Sequence, residues 1–144
     1  MLRFLRENNI PPVAELDDSG VKILVVDDEK AVISVVRRFL ERSQRSFQIE
    51  VAMDGFEAGR QMVIFRPHVV FLDLRLPGVD GFEVCKRIKS SPETSSAQVI
   101  AMTGYYEGDV AHRVVELGAA LLLQKPFAPD DLRRALAKVG VEVN

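Results

Sequence analysis

Apolar residues gather in four short unbroken runs, Lys22–Val26, Val69–Asp73, Gln98–Met102 and Ala120–Leu123, all rich in Val, Ile and Leu. Unbroken rather than alternating hydrophobicity is the signature of strands whose two faces are both covered, as in a parallel sheet. A weaker run, Gln48–Ala52, has the character of an edge strand. Between the runs the apolar positions change to helical spacing. Val32, Val35, Val36, Phe39 and Leu40 form a stripe in Glu29–Ser43, and Phe56, Gly59, Met62 and Val63 form one in Asp54–Phe65. Phe82, Cys85 and Ile88 mark Gly81–Lys89; Val110, Val114 and Leu117 mark Gly108–Leu117; Leu132, Leu136 and Val139 mark Pro129–Val139. Strand then helix, five times over with short links, predicts an α/β fold: a doubly wound five-stranded parallel sheet in a three-layer α/β/α sandwich with right-handed crossovers. Residues 1–20 fall outside this alternation. Pro11-Pro12 and Asp17-Asp18-Ser19-Gly20 make them read as an appendage and linker to a domain over residues 21–144.

Length and composition narrow the picture. The 144 residues are enough for one domain with a real core. Hydrophobic residues at 47% and charged residues at 28% exclude a disordered chain. A formal net charge of -2 leaves no global field to attract nucleic acid or an anionic membrane. The single cysteine, Cys85, excludes an intramolecular disulfide and any multi-cysteine metal site, and is expected to pack as a small hydrophobe. His68 and His112 stand far apart, which speaks against zinc. No apolar run approaches a membrane span and no signal sequence is visible, so the expected location is the cytoplasm.

The chemistry sits where the apolar runs end. The first ends in Asp27-Asp28-Glu29, the Val69 run in Asp73, the next in Thr103-Gly104 and the last in Lys125-Pro126. In open parallel sheets the carboxyl ends of the strands are where sites form. Acids, a hydroxyl and an ammonium would therefore converge. Two carboxylates ~4 Å apart repel by about 4 kcal/mol at an effective dielectric near 20, so three need a compensating cation. Lys125 supplies one charge, and an oxygen-only set with room for water suits Mg²⁺, with Mn²⁺ as a substitute. A carboxylate beside such an ion, an ammonium and a hydroxyl is equipped to accept a phosphoryl group. Asp73, alone at the end of a central strand, is the expected acceptor; Asp27 and Asp28 form a pair suited to metal.

Each fragment alone has a commoner structural use. Asp27-Asp28-Glu29 can begin a helix, Asp73 can open a turn, Lys125-Pro126-Phe127 can lead into the next helix, and Gly55 and Gly78 can serve turns. Their joint occurrence at four strand ends outweighs this. Val25-Val26-Asp27-Asp28-Glu29, Phe71-Leu72-Asp73-Leu74-Arg75-Leu76-Pro77-Gly78-Val79-Asp80-Gly81, Met102-Thr103-Gly104, Gly118-Ala119 and Gln124-Lys125-Pro126-Phe127 together resemble bacterial response-regulator receiver domains over about Val21–Val139. The resemblance implies a flavodoxin-like strand order of 2-1-3-4-5. It implies phosphorylation of Asp73 by a histidine kinase or phosphotransfer protein. It makes Asp28, Asp73 and the backbone carbonyl of Arg75 metal ligands, with Asp27 acting through water. Thr103 and Lys125 would bind the phosphoryl oxygens, and Lys125-Pro126 would be a cis peptide. The output surface would be the helix over Gly108–Leu117, the last strand and the helix over Pro129–Val139.

This chain departs from the family pattern in places. The position three before Lys125, aromatic in many receivers, is Leu122. Arg75 and Tyr105, two residues past Asp73 and Thr103, are bulky and are expected to flank the path of an attacking water and slow loss of the phosphoryl group. The last helical pattern ends near Asn144, so an unknown downstream effector is expected to bind from outside or to lie on the N-terminal side. Leu2–Pro11 resembles the end of an excisionase-like DNA-binding domain, which is the sole route to a nucleic-acid partner; no membrane partner is expected, and a homodimer is an open possibility. Two other classes compete. A haloacid-dehalogenase-type phosphatase would need a second acid where Arg75 stands. A phosphorylation-independent interaction scaffold would keep the fold and never carry phosphate. The expected module is a phosphoacceptor rather than an enzyme, with at most slow self-dephosphorylation.

Overall fold

The computed structural model describes residues 20–143, so the expectations for the N-terminal appendage lie outside the described residues. The main strands are β1 (Val21–Val26), β2 (Phe47–Ala52), β3 (Val69–Asp73), β6 (Gln98–Thr103) and β7 (Leu121–Gln124), separated by helices α1 (Lys30–Glu41), α2 (Gly55–Ile64), α3 (Gly81–Ser90) and α4 (Val110–Glu116). Helix α5 (Pro129–Lys138) closes the order. All main strands pair in parallel in the order β2-β1-β3-β6-β7, the expected doubly wound arrangement once the small pieces β4 (Arg75–Leu76) and β5 (Val79–Asp80) are set aside. Those two form a separate antiparallel hairpin whose turn holds Gly78 at φ 73°, a left-handed value that suits glycine. The sequence pattern does not predict this hairpin, because two residues per arm carry no periodicity.

Alternate side chains of each buried strand point to opposite layers. Ile23, Val25, Phe71, Ile100 and Met102 pack with Ile33, Val36 and Leu40 of α1 and Leu132 and Leu136 of α5. Leu24, Val26, Val70, Leu72, Val99 and Ala101 pack with α2, α3 and Val114 of α4 on the other side. That is why the runs are continuous: every position has an apolar neighbour. Cys85 is fully buried here, and burial pushes its thiol up from the ordinary range.

Helix α5 buries the stripe expected of it, Leu132, Leu136 and, just past its end, Val139. Helix α1 is rotated from expectation: Ile33 joins Val36 and Leu40 in the core, while Val35 is 41% exposed. Helix α2 corrects the reading outright. Phe56 is 83% and Val63 is 65% exposed, and Gly59 is exposed too; of the expected stripe only Met62 is buried, with Ala58. The cause is close approach at the helix start. A Cβ on Gly55 would collide with Val79 of β5, so the face carrying Gly55, Ala58 and Met62 turns inward. Gly55 therefore begins the helix behind the N-cap Asp54, whose carboxylate accepts from Glu57 N at 2.8 Å. Gly81, the first residue of α3, is equally constrained: a Cβ there would meet Leu74 Cα and lie 2.7 Å from the carbonyl oxygen of Asp73.

Neither histidine is placed to hold a metal with the other. His68 Nδ1 accepts from Lys22 N at 2.9 Å, and His112 pairs with Glu116 at 3.2 Å. The Arg133 and Arg134 pair forms exposed ion pairs with Asp130 and Asp131 on α5, as expected of a solvated helix face.

Candidate functional site

Register brings the strand ends level. Val26 is opposite both Ala52 and Leu72, Asp73 opposite Met102, and Thr103 opposite Gln124. The backbone continues the ladder one residue further on each side: Asp27 N donates to Ala52 O at 3.0 Å and Lys125 N to Thr103 O at 2.7 Å. Asp27, Asp73, Thr103 and Lys125 thus share one edge of the sheet. Asp73 and Lys125 line a cleft of about 690 Å³ together with Asp28, Glu29, Arg75, Tyr105, Pro126 and Phe127.

The Lys125 ammonium is the hub. Its Nζ lies 2.8 Å from Asp27 Oδ2, 2.9 Å from Glu29 Oε1 and 3.5 Å from Asp73 Oδ1. Asp27 is fully buried; its Oδ1 accepts from Glu29 N at 2.9 Å, which fixes the carboxylate. Its Oδ2 faces Lys125 as an ion pair without hydrogen-bond geometry and makes no other hydrogen bond. Asp73 Oδ1 accepts from Arg75 N at 3.2 Å. Burial pushes the Asp73 carboxyl up to about 6; the Arg75 amide and Lys125 oppose the rise, and the Asp27 charge adds to it. Burial also works against the Lys125 ammonium, but its contacts with Asp27 and Glu29 and the charges of Asp27 and Asp73 outweigh that and hold the amine above the ordinary lysine range.

One carboxylate oxygen each from Asp27, Glu29 and Asp73 lies within 4.8 Å of the others. These are hard donors, and the Asp27 oxygen has lone pairs to spare, so the group fits a divalent cation of the Mg²⁺ type. Glu29 is the member that the sequence reading passed over, having placed the metal on the aspartate pair. Its place directly after that pair, at a helix start, reads equally well as a cap, so the sequence does not single it out. Asp28 is exposed and lines the same cleft outside this group of three.

The hydroxylic side is organised differently. Thr103 is 2% exposed, and its Oγ1 accepts from Tyr105 N at 3.0 Å and donates to Tyr105 O at 3.3 Å. Both hydrogen bonds stay within its own loop. The Tyr105 ring carries the Arg75 guanidinium over its face at 4.0 Å, so the two bulky residues singled out in the sequence touch each other at the rim. Leu122 is half-buried, in register with Ala101, and packs with the α4 layer. The Lys125-Pro126 peptide is cis.

An edge of clustered carboxylates around one ammonium, on a doubly wound parallel sheet, is the arrangement that the comparisons with known proteins also find. The family model described as response regulator receiver domain matches residues 23–137. The chain belongs to the response regulator receiver family. It is 37% identical over 118 residues to sporulation initiation phosphotransferase F of Bacillus subtilis (strain 168), covering 81% of this chain and 91% of that protein. The signal receiver domain of a DNA-binding response regulator from Colwellia psychrerythraea 34H matches with a TM-score of 0.78 and 37% identity, over 83% of this chain and 97% of that one. The Mn²⁺-bound form of response regulator Rcp1 matches with a TM-score of 0.71 and 28% identity, over 81% of this chain and 88% of that one. Other curated relatives, mycobacterial response regulators, are longer: the chain spans 47% of their length. No helix among the described residues is long and apolar enough to cross a membrane.

Proposed function

We propose that the chain accepts a phosphoryl group on Asp73 from a histidine kinase or phosphotransfer protein and then changes its affinity for a downstream partner. One observation carries this reading: a buried carboxylate at the end of the central strand, with an ammonium 3.5 Å away and a backbone amide on the same oxygen. An Asp73 oxygen attacks phosphorus, the O–P bond forms as the donor's N–P bond breaks, and the leaving imidazole takes a proton from solvent. With its carboxyl near 6, Asp73 is mostly ionised at neutral pH and so ready as nucleophile. Lys125 balances the charge on the phosphoryl oxygens and Thr103 donates to one of them, which requires its hydroxyl to leave Tyr105.

Asp28, Asp73 and the Arg75 carbonyl would hold Mg²⁺ or Mn²⁺, with Asp27 acting through water and Glu29 within reach. The ion would neutralise the carboxylates and the developing charge on the transferred group. A solved relative that binds Mn²⁺ supports a divalent ion at this acidic cluster. The phosphoryl group adds about -1.5 to -2 charge, which biases two packings of the domain. Thr103, its loop, α4, β7 and α5 are the expected route and surface, and homodimerisation there is one form the output could take. Leu122 offers a rotamer change in place of an aromatic swing. The proposed setting is the cytoplasm, as is typical of the receiver family to which the chain belongs.

Intact mass after incubation with acetyl phosphate and Mg²⁺ tests the reading. One added phosphoryl group, absent in Asp73→Asn, is expected. No gain with any small-molecule donor or kinase would leave a phosphorylation-independent scaffold as the better account, and the self-contained hydrogen bonds of Thr103 are the observation that favours it.

A further inference from the structure

We propose that Glu29 is an internal stand-in for the phosphoryl group, a carboxylate that occupies Lys125 before phosphorylation and must be displaced by it. The inference rests on Asp73 being the acceptor and adds a residue that sets how readily the phosphoryl group is held. Glu29 is the N-cap of α1, in extended conformation at φ -93° and ψ 113°, yet its side chain makes no capping hydrogen bond. It reaches across instead, at 2.9 Å, to Lys125, which follows the end of β7, 96 residues distant in sequence.

An ammonium has three donors, and here three carboxylates surround it. Asp73, the group that most needs the lysine once it is esterified, is the most distant of the three. A phosphoryl group on Asp73 would demand a share of the ammonium, and one carboxylate must give way. Asp27 cannot: it is fully buried and tied to the Glu29 amide. Glu29 can, because its side chain is 60% exposed and water solvates it at little cost once released. Glu29 is therefore the displaceable partner. It is a positioning residue acting through Lys125.

The test uses the full chain and beryllofluoride, a phosphoryl mimic, with saturating Mg²⁺, followed by NMR of the Lys125 amide and the loop after Thr103. Two variants separate reach from charge. Glu29→Gln removes the charge. Glu29→Asp keeps it but is one methylene shorter, and it stays folded because Asp is a favoured N-cap. Both are expected to bind beryllofluoride about two- to fivefold more tightly, the equilibrium factor an exposed ion pair is worth. A gain in Glu29→Gln with none in Glu29→Asp would assign the effect to the general field and overturn the proposal. So would unchanged affinity in both. Mg²⁺ titrated alone is the second readout: if both variants lose Mg²⁺ and beryllofluoride binding together, Glu29 is a metal ligand and the proposal fails. A wild-type chain that binds no beryllofluoride at all would sink the Asp73 reading itself, which is a different failure.

Discussion

The charged and the hydroxylic groups at the sheet's carboxyl edge solve opposite problems. At the ends of β1, β3 and β7, Asp27, Asp73 and Lys125 are drawn into direct contact. At the end of β6, which lies between β3 and β7, Thr103 is just as buried but keeps its hydrogen bonds to Tyr105, two residues away. The difference follows from charge. A buried carboxylate has no local remedy and must find a counter-ion from a distant part of the chain. A buried hydroxyl is neutral and is satisfied by the nearest backbone. The charged groups are thus assembled already; under the proposed function Thr103 would have to be recruited when a phosphoryl group arrives.

Removing the hub should break the charged cluster most severely. Lys125→Ala leaves two buried carboxylates without their cation, and a loss of about 3 kcal/mol is expected in urea unfolding at neutral pH. Asp73→Asn should act in the opposite direction. The Asp73 carboxyl is raised from 3.8 to about 6, so wild-type stability gains from this group are complete below pH 4 and are lost as pH rises through 6. In metal-free buffer the asparagine variant should be about 2 kcal/mol more stable above pH 7, and the advantage should vanish near pH 4. Thermal melts across that window check the sign. On the hydroxylic side the costs are smaller. Thr103→Ala should lose about 1 kcal/mol, the worth of its loop hydrogen bonds, and leave Mg²⁺ affinity unchanged. The Arg75–Tyr105 stack is the weakest element, about 0.5–1 kcal/mol. Truncating either residue should shorten the phosphoryl lifetime about two- to fivefold if the pair screens water, read by intact mass against time, and the double variant should be no faster than the faster single one.

Much of this was legible because burial writes itself into the chain. Five strands were readable from runs such as Val69–Asp73, and the ends of four of them pointed to Asp27, Asp73, Thr103 and Lys125. The stripe of α5 was readable for the same reason. That of α2 was not: periodicity finds the most hydrophobic face, whereas Gly55 and Ala58 face inward because they are small. Glu29 escaped because its partner is fixed by tertiary structure, and nothing local distinguishes a glutamate that caps from one that reaches away. The β4–β5 hairpin was too short for any period, although Pro77-Gly78 marks its turn.

Gly81 sets how a change at Asp73, the proposed acceptor, would spread. With no side chain, the first turn of α3 rests directly on the peptide that joins Asp73 to Leu74, and its amide donates to Leu74 O at 3.2 Å. That junction behaves as a welded hinge pin: strand and helix travel together or not at all. Under the proposed function, a change at Asp73 would therefore pass sideways into the neighbouring strand, where Thr103 holds two loop hydrogen bonds that it could trade.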